Sequence, residues 1–269
     1  MHNYSVLMTI YEKDNPDYLR LSIDSMLGQT IITNDFVIVC DGPLTEDLEK
    51  VLSFYTSKHP FFNVVRLEKN EGLGSALQKG LLICKNNLVA RMDDDDIAVS
   101  NRCELEINEF IKDESLDICG SFVYEFENDV TNKPRLKRMP LSNTEILDFS
   151  KRRNPFNHST VMFKKERVVE IGNYKELRTN QDVELWVRGL NNGLKGINIP
   201  QPLVYFRFNS NTYQRRKDRK NIDLMISLWK GFYDSGFCSL KDYKSVRFKQ
   251  RVLGALPIWA IKWIYNHLR

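Results

Sequence analysis

Four carboxylates in a row, Asp93-Asp94-Asp95-Asp96, follow the apolar run 88–92. Like charges packed this closely repel one another, and a cation relieves the repulsion. Carboxylate oxygens are the hard donors that Mg²⁺ or Mn²⁺ prefers, and Mg²⁺ usually takes one or two of them together with phosphate oxygens. For this stretch alone the alternative is a solvated acidic turn, or a set of N-cap residues before a helix starting near Ser100. Other polar groups recur at comparable places. Thr9-Ile10-Tyr11-Glu12, Asp41-Gly42 and Asn70-Glu71-Gly72 each follow a strand-like run. An aspartate after a strand can accept from a base or ribose, and Gly72 and Gly74 let backbone approach a ligand closely. Each group alone reads as an ordinary turn residue. Four of them in consecutive loops point to a nucleotide site.

The elements that must position these groups alternate strand and helix. Residues 4–10, 36–40, 63–67 and 88–92 read as strands. Between them lie a helix opened by Asn15-Pro16, with Asn15 at the N-cap, a helix over 45–58 and a helix over 75–84. This order predicts βαβ units and a mostly parallel sheet with helices on both faces, whose ligands gather beyond the C-terminal ends of the strands. After the carboxylates the rhythm changes. Helices are expected over 101–112, 144–151, 181–191 and 221–233, and strands over 117–126, 159–163 and 203–208. A loop or hairpin turn is expected over 128–140. The division expected is a catalytic unit 1–213, with a nucleotide-binding half 1–96 and an acceptor-binding half 97–213, followed by a helical extension 214–269.

Composition narrows the classes. A chain of 269 residues with 42% apolar content supports one large domain with a real core. The net charge of +4 gives no reason to expect nucleic-acid binding. Basic residues gather in the second half, at Arg135-Leu136-Lys137-Arg138, Lys151-Arg152-Arg153, Arg215-Arg216-Lys217 and the last helix, which suits anionic partners such as diphosphates or a phospholipid surface. Cys40, Cys84, Cys103, Cys119 and Cys238 are scattered without a CxxC pair, as expected of buried thiols in a reducing compartment. No signal peptide is read at the N-terminus, and no apolar run reaches the roughly 18–20 residues of a spanning helix. The tail has no acidic residue from Lys244 onward. Its stretch 252–265 is apolar apart from Lys262, contains Pro257 and carries Trp259, Trp263 and Tyr265. That pattern suits an interfacial helix on a membrane, or a helix packed on the protein's own core.

Five stretches, taken together and in order, resemble inverting glycosyltransferases of family 2, which have the GT-A fold. They are Val6-Leu7-Met8-Thr9-Ile10-Tyr11, Val37-Ile38-Val39-Cys40-Asp41-Gly42, Asn70 through Leu81, Ala90-Arg91-Met92-Asp93-Asp94-Asp95-Asp96, and Asn180-Gln181-Asp182-Val183-Glu184-Leu185-Trp186. No single stretch is specific; the ordered set is. The resemblance implies that Thr9, Tyr11 and Asp41 hold the base and ribose, with Glu12, Asn70, Gly72, Asp93 and Asp94 also on the nucleotide side. It implies a D-x-D pair of Asp93 and Asp95, with Asp95 the direct ligand of Mn²⁺ or Mg²⁺. Asp182 becomes the general base that takes the acceptor's proton. His158 stands where the family often has a histidine near the acceptor, in a metal, acceptor-binding or purely structural role. Gln181, Trp186 and Arg207 fall on the diphosphate or acceptor side, although Trp186 reads more readily as core than as a sugar-stacking platform.

The chain departs from the family at Gln181, where Glu is common, at Leu77-Gln78, where Arg-Asn is common, and after Tyr205, where some members have histidine. The implied donor is a nucleotide-diphosphate sugar, with uridine suggested by the family alone. The implied acceptor is a lipid-linked saccharide of bacterial surface polysaccharide synthesis. The implied location is the cytoplasmic membrane face, held through the C-terminal helix. Two other readings are a sugar nucleotidyltransferase, disfavoured because no glycine follows the first strand, and a catalytically inactive nucleotide-binding assembly module. An NAD-binding site is disfavoured by the lack of G-x-G-x-x-G in the first loop.

Overall fold

The first strand, β1 (Tyr4–Ile10), is buried along its whole length because helices cover both faces of the sheet it centres. Its alternate side chains divide between two cores. Val6, Met8 and Ile10 join one cluster, and Leu7 joins the other. The computed structural model describes residues 3–127, 129–132, 134–208, 214 and 217–267. Arg215 and Arg216, named above among the basic groups, lie outside the described residues.

Parallel β2 (Asp35–Cys40) and β4 (Leu88–Arg91) flank β1, and β3 (Phe62–Arg66) lies outside β2. The intervening helices are α1 (Pro16–Leu27), α2 (Glu46–Lys58) and α3 (Leu73–Ile83). Asn15 caps α1 as expected, its Oδ1 accepting from the N–H groups of Asp17 at 2.8 Å and Tyr18 at 3.2 Å. Helix α3 starts two residues earlier than the sequence suggests, directly after Gly72, whose φ of 100° a side chain would resist.

The second half is mixed rather than parallel. It contains β5 (Ile97–Ala98), α4 (Arg102–Lys112), β6 (Ile118–Phe126), β7 (Arg135–Lys137) and α5 (Asn143–Ser150). A 3₁₀ turn His158–Thr160, β8 (Met162–Lys164), α6 (Lys165–Glu170), α7 (Gln181–Asn191) and β9 (Gly196–Arg207) follow. The sheet order is β3-β2-β1-β4-β8-β6-β9-β5, with β7 on β6. Strand β8 runs antiparallel to β4 because the chain arrives at the C-terminal end of β4, where Arg91 N–H donates to Val161 O at 2.9 Å. The strand expected over 159–163 is therefore split: 158–160 turns, and only then does the strand begin. The last strand starts at Gly196, seven residues before the expected 203. Pro200 and Pro202 hid it, because proline breaks a strand pattern. The register of β6 against β9 shifts beside them, as at a bulge.

Beyond β9 lie α8 (Arg219–Asp234), α9 (Leu240–Ala255) and α10 (Ile258–His267). Trp229 and Phe232 of α8, Cys238, and Val246 of α9 form one buried cluster with Val183 and Val187 of α7. The tail is not one helix over 252–265. Pro257, which cannot donate within a helix, separates α9 from α10. Ile261 of α10 is buried with Phe208, whereas Trp259 is 74% exposed. Among the described residues no helix is long and apolar enough to cross a membrane.

Candidate active site

β1, β2, β3 and β4 are parallel neighbours, so their C-terminal ends open on one rim. The loops that leave this rim carry Thr9 to Glu12, Asp41, Asn70 to Gly72 and Asp93 to Asp96, the groups the sequence had grouped together. The acidic turn is held between β4 and β5, both bound into the sheet. Ser22 Oγ donates to Asp93 O at 2.7 Å, and Arg102 Nη2 donates to Arg91 O at 2.8 Å. From β9, Arg207 N–H donates to Asp96 Oδ1 at 2.8 Å and Arg207 Nε to Asp95 O at 3.0 Å.

Charge is concentrated here, with Asp96 buried and Asp93, Asp94 and Asp95 partly buried. Asp94 and Asp96 are pushed well above the usual carboxylate range, chiefly by desolvation and then by neighbouring carboxylates. Asp14 in the loop after β1 joins the cluster. Burial, and behind it the charges of Asp95 and Asp93, raise it to about 7, although it accepts from Tyr11 N–H at 2.7 Å. The Arg91 guanidinium, 1% exposed, is buried against the cluster, its Nη1 contacting Asp93 Oδ1, and buried Arg207 meets the turn from β9. Asp96 Oδ2 has no hydrogen-bond partner among the described residues. Five repelling carboxylates and an orphaned oxygen form a donor set that suits a hard divalent cation. Among the described residues, however, no three metal-binding side chains are already gathered around one point.

Asp182 sits in the first turn of α7, reached from Asn180 in the left-handed conformation (φ 58°). Burial raises its pKa. Its own N–H, the Val183 N–H and the Arg91 guanidinium oppose that rise, and Asp93 reinforces it. The fold thus places Asp182 within electrostatic reach of a carboxylate 89 positions earlier in the chain. Asn154 Nδ2 donates to Asp182 Oδ2 at 2.6 Å.

Other expected groups are placed less simply. Asp41 is buried and both its oxygens are engaged: Oδ1 accepts from Glu71 N–H at 2.7 Å and Oδ2 from Gly72 N–H at 2.9 Å. It shapes the 70–72 loop, and a base or ribose would have to use its remaining lone pairs. Thr9 is buried at the end of β1, while Tyr11 and Glu12 are exposed. His158 lies in an aromatic setting, and neither of its ring nitrogens has a hydrogen-bond partner among the described residues. Its ring lies 5.8 Å from both the Tyr174 and Trp186 rings, with burial and nearby Arg91 keeping it neutral. Trp186 is fully buried, edge-on to Phe163 at 5.4 Å and to Phe156 at 6.0 Å, so it is core and not a sugar platform. Gln181 is also buried. Arg207, expected near the diphosphate, is buried with its guanidinium 3.6 Å from the Tyr18 ring centre and 4.5 Å from that of Phe126. In this structure it holds the acidic turn.

Sequence reading missed Asp14, Arg91, Asn154 and Arg178. Arg178 donates from Nη1 to Asn70 Oδ1 at 2.8 Å, and a Cβ on Gly72 would meet its Cγ at 2.7 Å. The stretch 175–178 thus crosses the start of α3 like a strap, with Gly74 N–H donating to Leu177 O at 3.0 Å. Asp14 alone had a readable signal, its place three residues after Tyr11 in a loop already singled out.

The parallel rim, its glycine-bearing loops and the acidic turn belong to a mixed α/β enzyme of the GT-A fold. Residues 5–171 match the glycosyl transferase family 2 profile, and the chain belongs to that family and is a glycosyltransferase. It is 34% identical over 266 residues to the amylovoran biosynthesis glycosyltransferase AmsE of Erwinia amylovora, covering 98% of both chains. It is 38% identical over 242 residues to the UDP-Gal:alpha-D-GlcNAc-diphosphoundecaprenol beta-1,3-galactosyltransferase of Escherichia coli, covering 89% of this chain and 86% of the relative. Among solved structures it resembles S. aureus TarS 1-349 in complex with UDP, with TM-score 0.60, 17% identity, and coverage of 80% of this chain and 63% of that one. It also resembles the mannosyltransferase PcManGT from Pyrobaculum calidifontis in complex with GDP-Man and Mn²⁺, with TM-score 0.63, 13% identity, and coverage of 99% and 80%.

Proposed function

We propose that this chain transfers one sugar, with inversion, from a UDP-sugar to a hydroxyl of a lipid-diphosphate-linked saccharide in bacterial surface polysaccharide synthesis. The observation that carries this reading is the convergence of a lone carboxylate, Asp182, on the acidic turn at the rim. Inversion by direct displacement needs one base and no protein nucleophile. In that mechanism Asp182 accepts the proton of the acceptor hydroxyl as its oxygen attacks the anomeric carbon from the face opposite the diphosphate. Asp95 and Asp93 are the side chains that would hold Mn²⁺ or Mg²⁺, which when bound offsets charge on the leaving diphosphate. The loops carrying Thr9, Tyr11, Glu12, Asp41, Asn70 and Gly72 would bind the uridine end, with Asp94 lining the same side. Support for the donor and acceptor classes comes from the printed activity of the E. coli relative and from TarS bound to UDP and to UDP-GlcNAc.

The acceptor would reach this site from a membrane surface, and the protein would rest on the cytoplasmic face. Exposed Phe248, Trp259 and Trp263 on α9 and α10, among lysines and arginines without acidic neighbours after Asp242, suit an interfacial seat. The unit 1–213 would carry the chemistry and 214–269 the seat.

The test is transfer from a panel of UDP-sugars to polyprenyl-diphosphate-linked saccharides, with and without Mn²⁺. Asp182→Asn should lose about a hundredfold or more in turnover while still binding UDP. Asp95→Ala should lose the Mn²⁺-dependent part of UDP binding seen by calorimetry. Wild-type turnover in both variants would refute the assigned roles.

A further inference from the structure

We propose that Asn154 is a positioning residue that sets the direction and the ionisation of the Asp182 carboxylate; this rests on the reading of Asp182 as the base. Its amide can act in only one sense. Asn154 Oδ1 accepts from Phe156 N–H at 3.3 Å, which leaves Nδ2 as the end that meets Asp182 Oδ2 at 2.6 Å. A donor fixed on one carboxylate oxygen leaves the other to take a proton. It also favours the charged form over the neutral acid.

The backbone that carries Asn154 is pinned on both sides. Three residues before it, Lys151 O accepts from the Trp229 indole at 2.7 Å. One residue after it, Pro155 O accepts from Asn198 Nδ2 at 3.1 Å. Phe156 next in line is buried against Trp186 of α7, the helix that bears Asp182. A side chain so held costs little further ordering when it orients its partner. Apart from Asn154, the groups acting on Asp182 are the N–H groups of its own helix turn, the Arg91 guanidinium from β4, the Asp93 carboxylate from the acidic turn, and the Tyr174 hydroxyl from the segment before α7. Arg91 and the N–H groups stabilise its charge, whereas Asp93 and burial oppose it. Asn154 Nδ2 adds a side-chain donor to this set, at 2.6 Å from Asp182 Oδ2.

The experiment measures kcat, donor KM and the acid limb of the pH–kcat profile for wild type, Asn154→Ala, Asn154→Asp and Asp182→Asn. Asn154→Asp keeps an oxygen for Phe156 N–H, so it preserves the local turn if the alanine variant folds poorly. Expected are a fall in kcat of about ten- to a hundredfold with donor KM little changed, and an acid limb about one pH unit higher in Asn154→Ala and higher still in Asn154→Asp. A merely structural role would lower the amount of active enzyme without moving the limb. If Asp182→Asn is inactive while both Asn154 variants that fold keep the wild-type kcat and limb, the inference is overturned and the base assignment stands. If Asp182→Asn turns over like wild type, the base assignment falls and takes this inference with it.

Discussion

Glu106, on α4, shows how far burial outweighs charge in this interior. It is fully enclosed and bonded to Arg102 Nε at 3.1 Å, yet desolvation raises it from 4.5 to about 7 against the pull of that guanidinium. The folded protein therefore keeps this proton over a range where the unfolded chain has lost it. Its contribution to stability is complete below pH 4.5 and is lost as pH rises through about 7. The shift corresponds to roughly 3 kcal/mol at 1.36 kcal/mol per pH unit. Glu106→Gln should lose less stability than wild type between pH 5 and pH 8 in urea unfolding; equal losses would exclude the effect. At this scale the sequence was partly legible. Asp93 to Asp96 and Asp182 stand in contiguous patterns and could be read. Arg91 and Asn154 acquire meaning only from partners that the fold brings to them, Asn154 from a residue 28 positions away. No periodicity records which loops will meet.

At the scale of elements, local chemistry was legible where a signal is local. The Asn15 cap, the α7 bounds and the first four strands follow from capping residues and apolar runs. The early start of β9 did not, because Pro200 and Pro202 mask a strand that tolerates them through a bulge. Nor did the strap over α3, whose contacts join residues about a hundred positions apart. The strap makes a sharp demand at Gly74, where an added Cβ would lie 2.1 Å from Lys175 O and 2.6 Å from Leu177 O. Backbone must move to admit it. Gly74→Ala should lower the thermal midpoint by several degrees, consistent with a loss of about 1–3 kcal/mol. It should also weaken UDP binding by shifting the 70–72 loop. A variant with wild-type melting and wild-type UDP affinity would contradict the tight crossing.

Over the whole molecule, the tail packs one side chain inward and presents large apolar side chains outward. Ile261 is buried with Phe208, which follows β9, while Phe248 and Trp259 stand 69% and 74% exposed. The double substitution Trp259→Ala, Trp263→Ala should reduce co-sedimentation with vesicles containing anionic phospholipid. Transfer to a short water-soluble acceptor should be unaffected. Undiminished vesicle binding would exclude these indoles as the seat. The mixed half of the sheet was not legible from the strand pattern, since antiparallel entry of β8 depends on where the preceding turn delivers the chain.

The indole of Trp229 belongs to a helix that lies outside the matched family region, yet it grips the main chain at Lys151, a short step from the amide that holds Asp182. Two hydrogen bonds and three residues of chain therefore link α8 to the Asp182 carboxylate, the proposed proton acceptor. Cutting the protein at residue 213 to obtain a smaller, more tractable enzyme would remove this strut, and the shortened form would misreport the rate of the intact one.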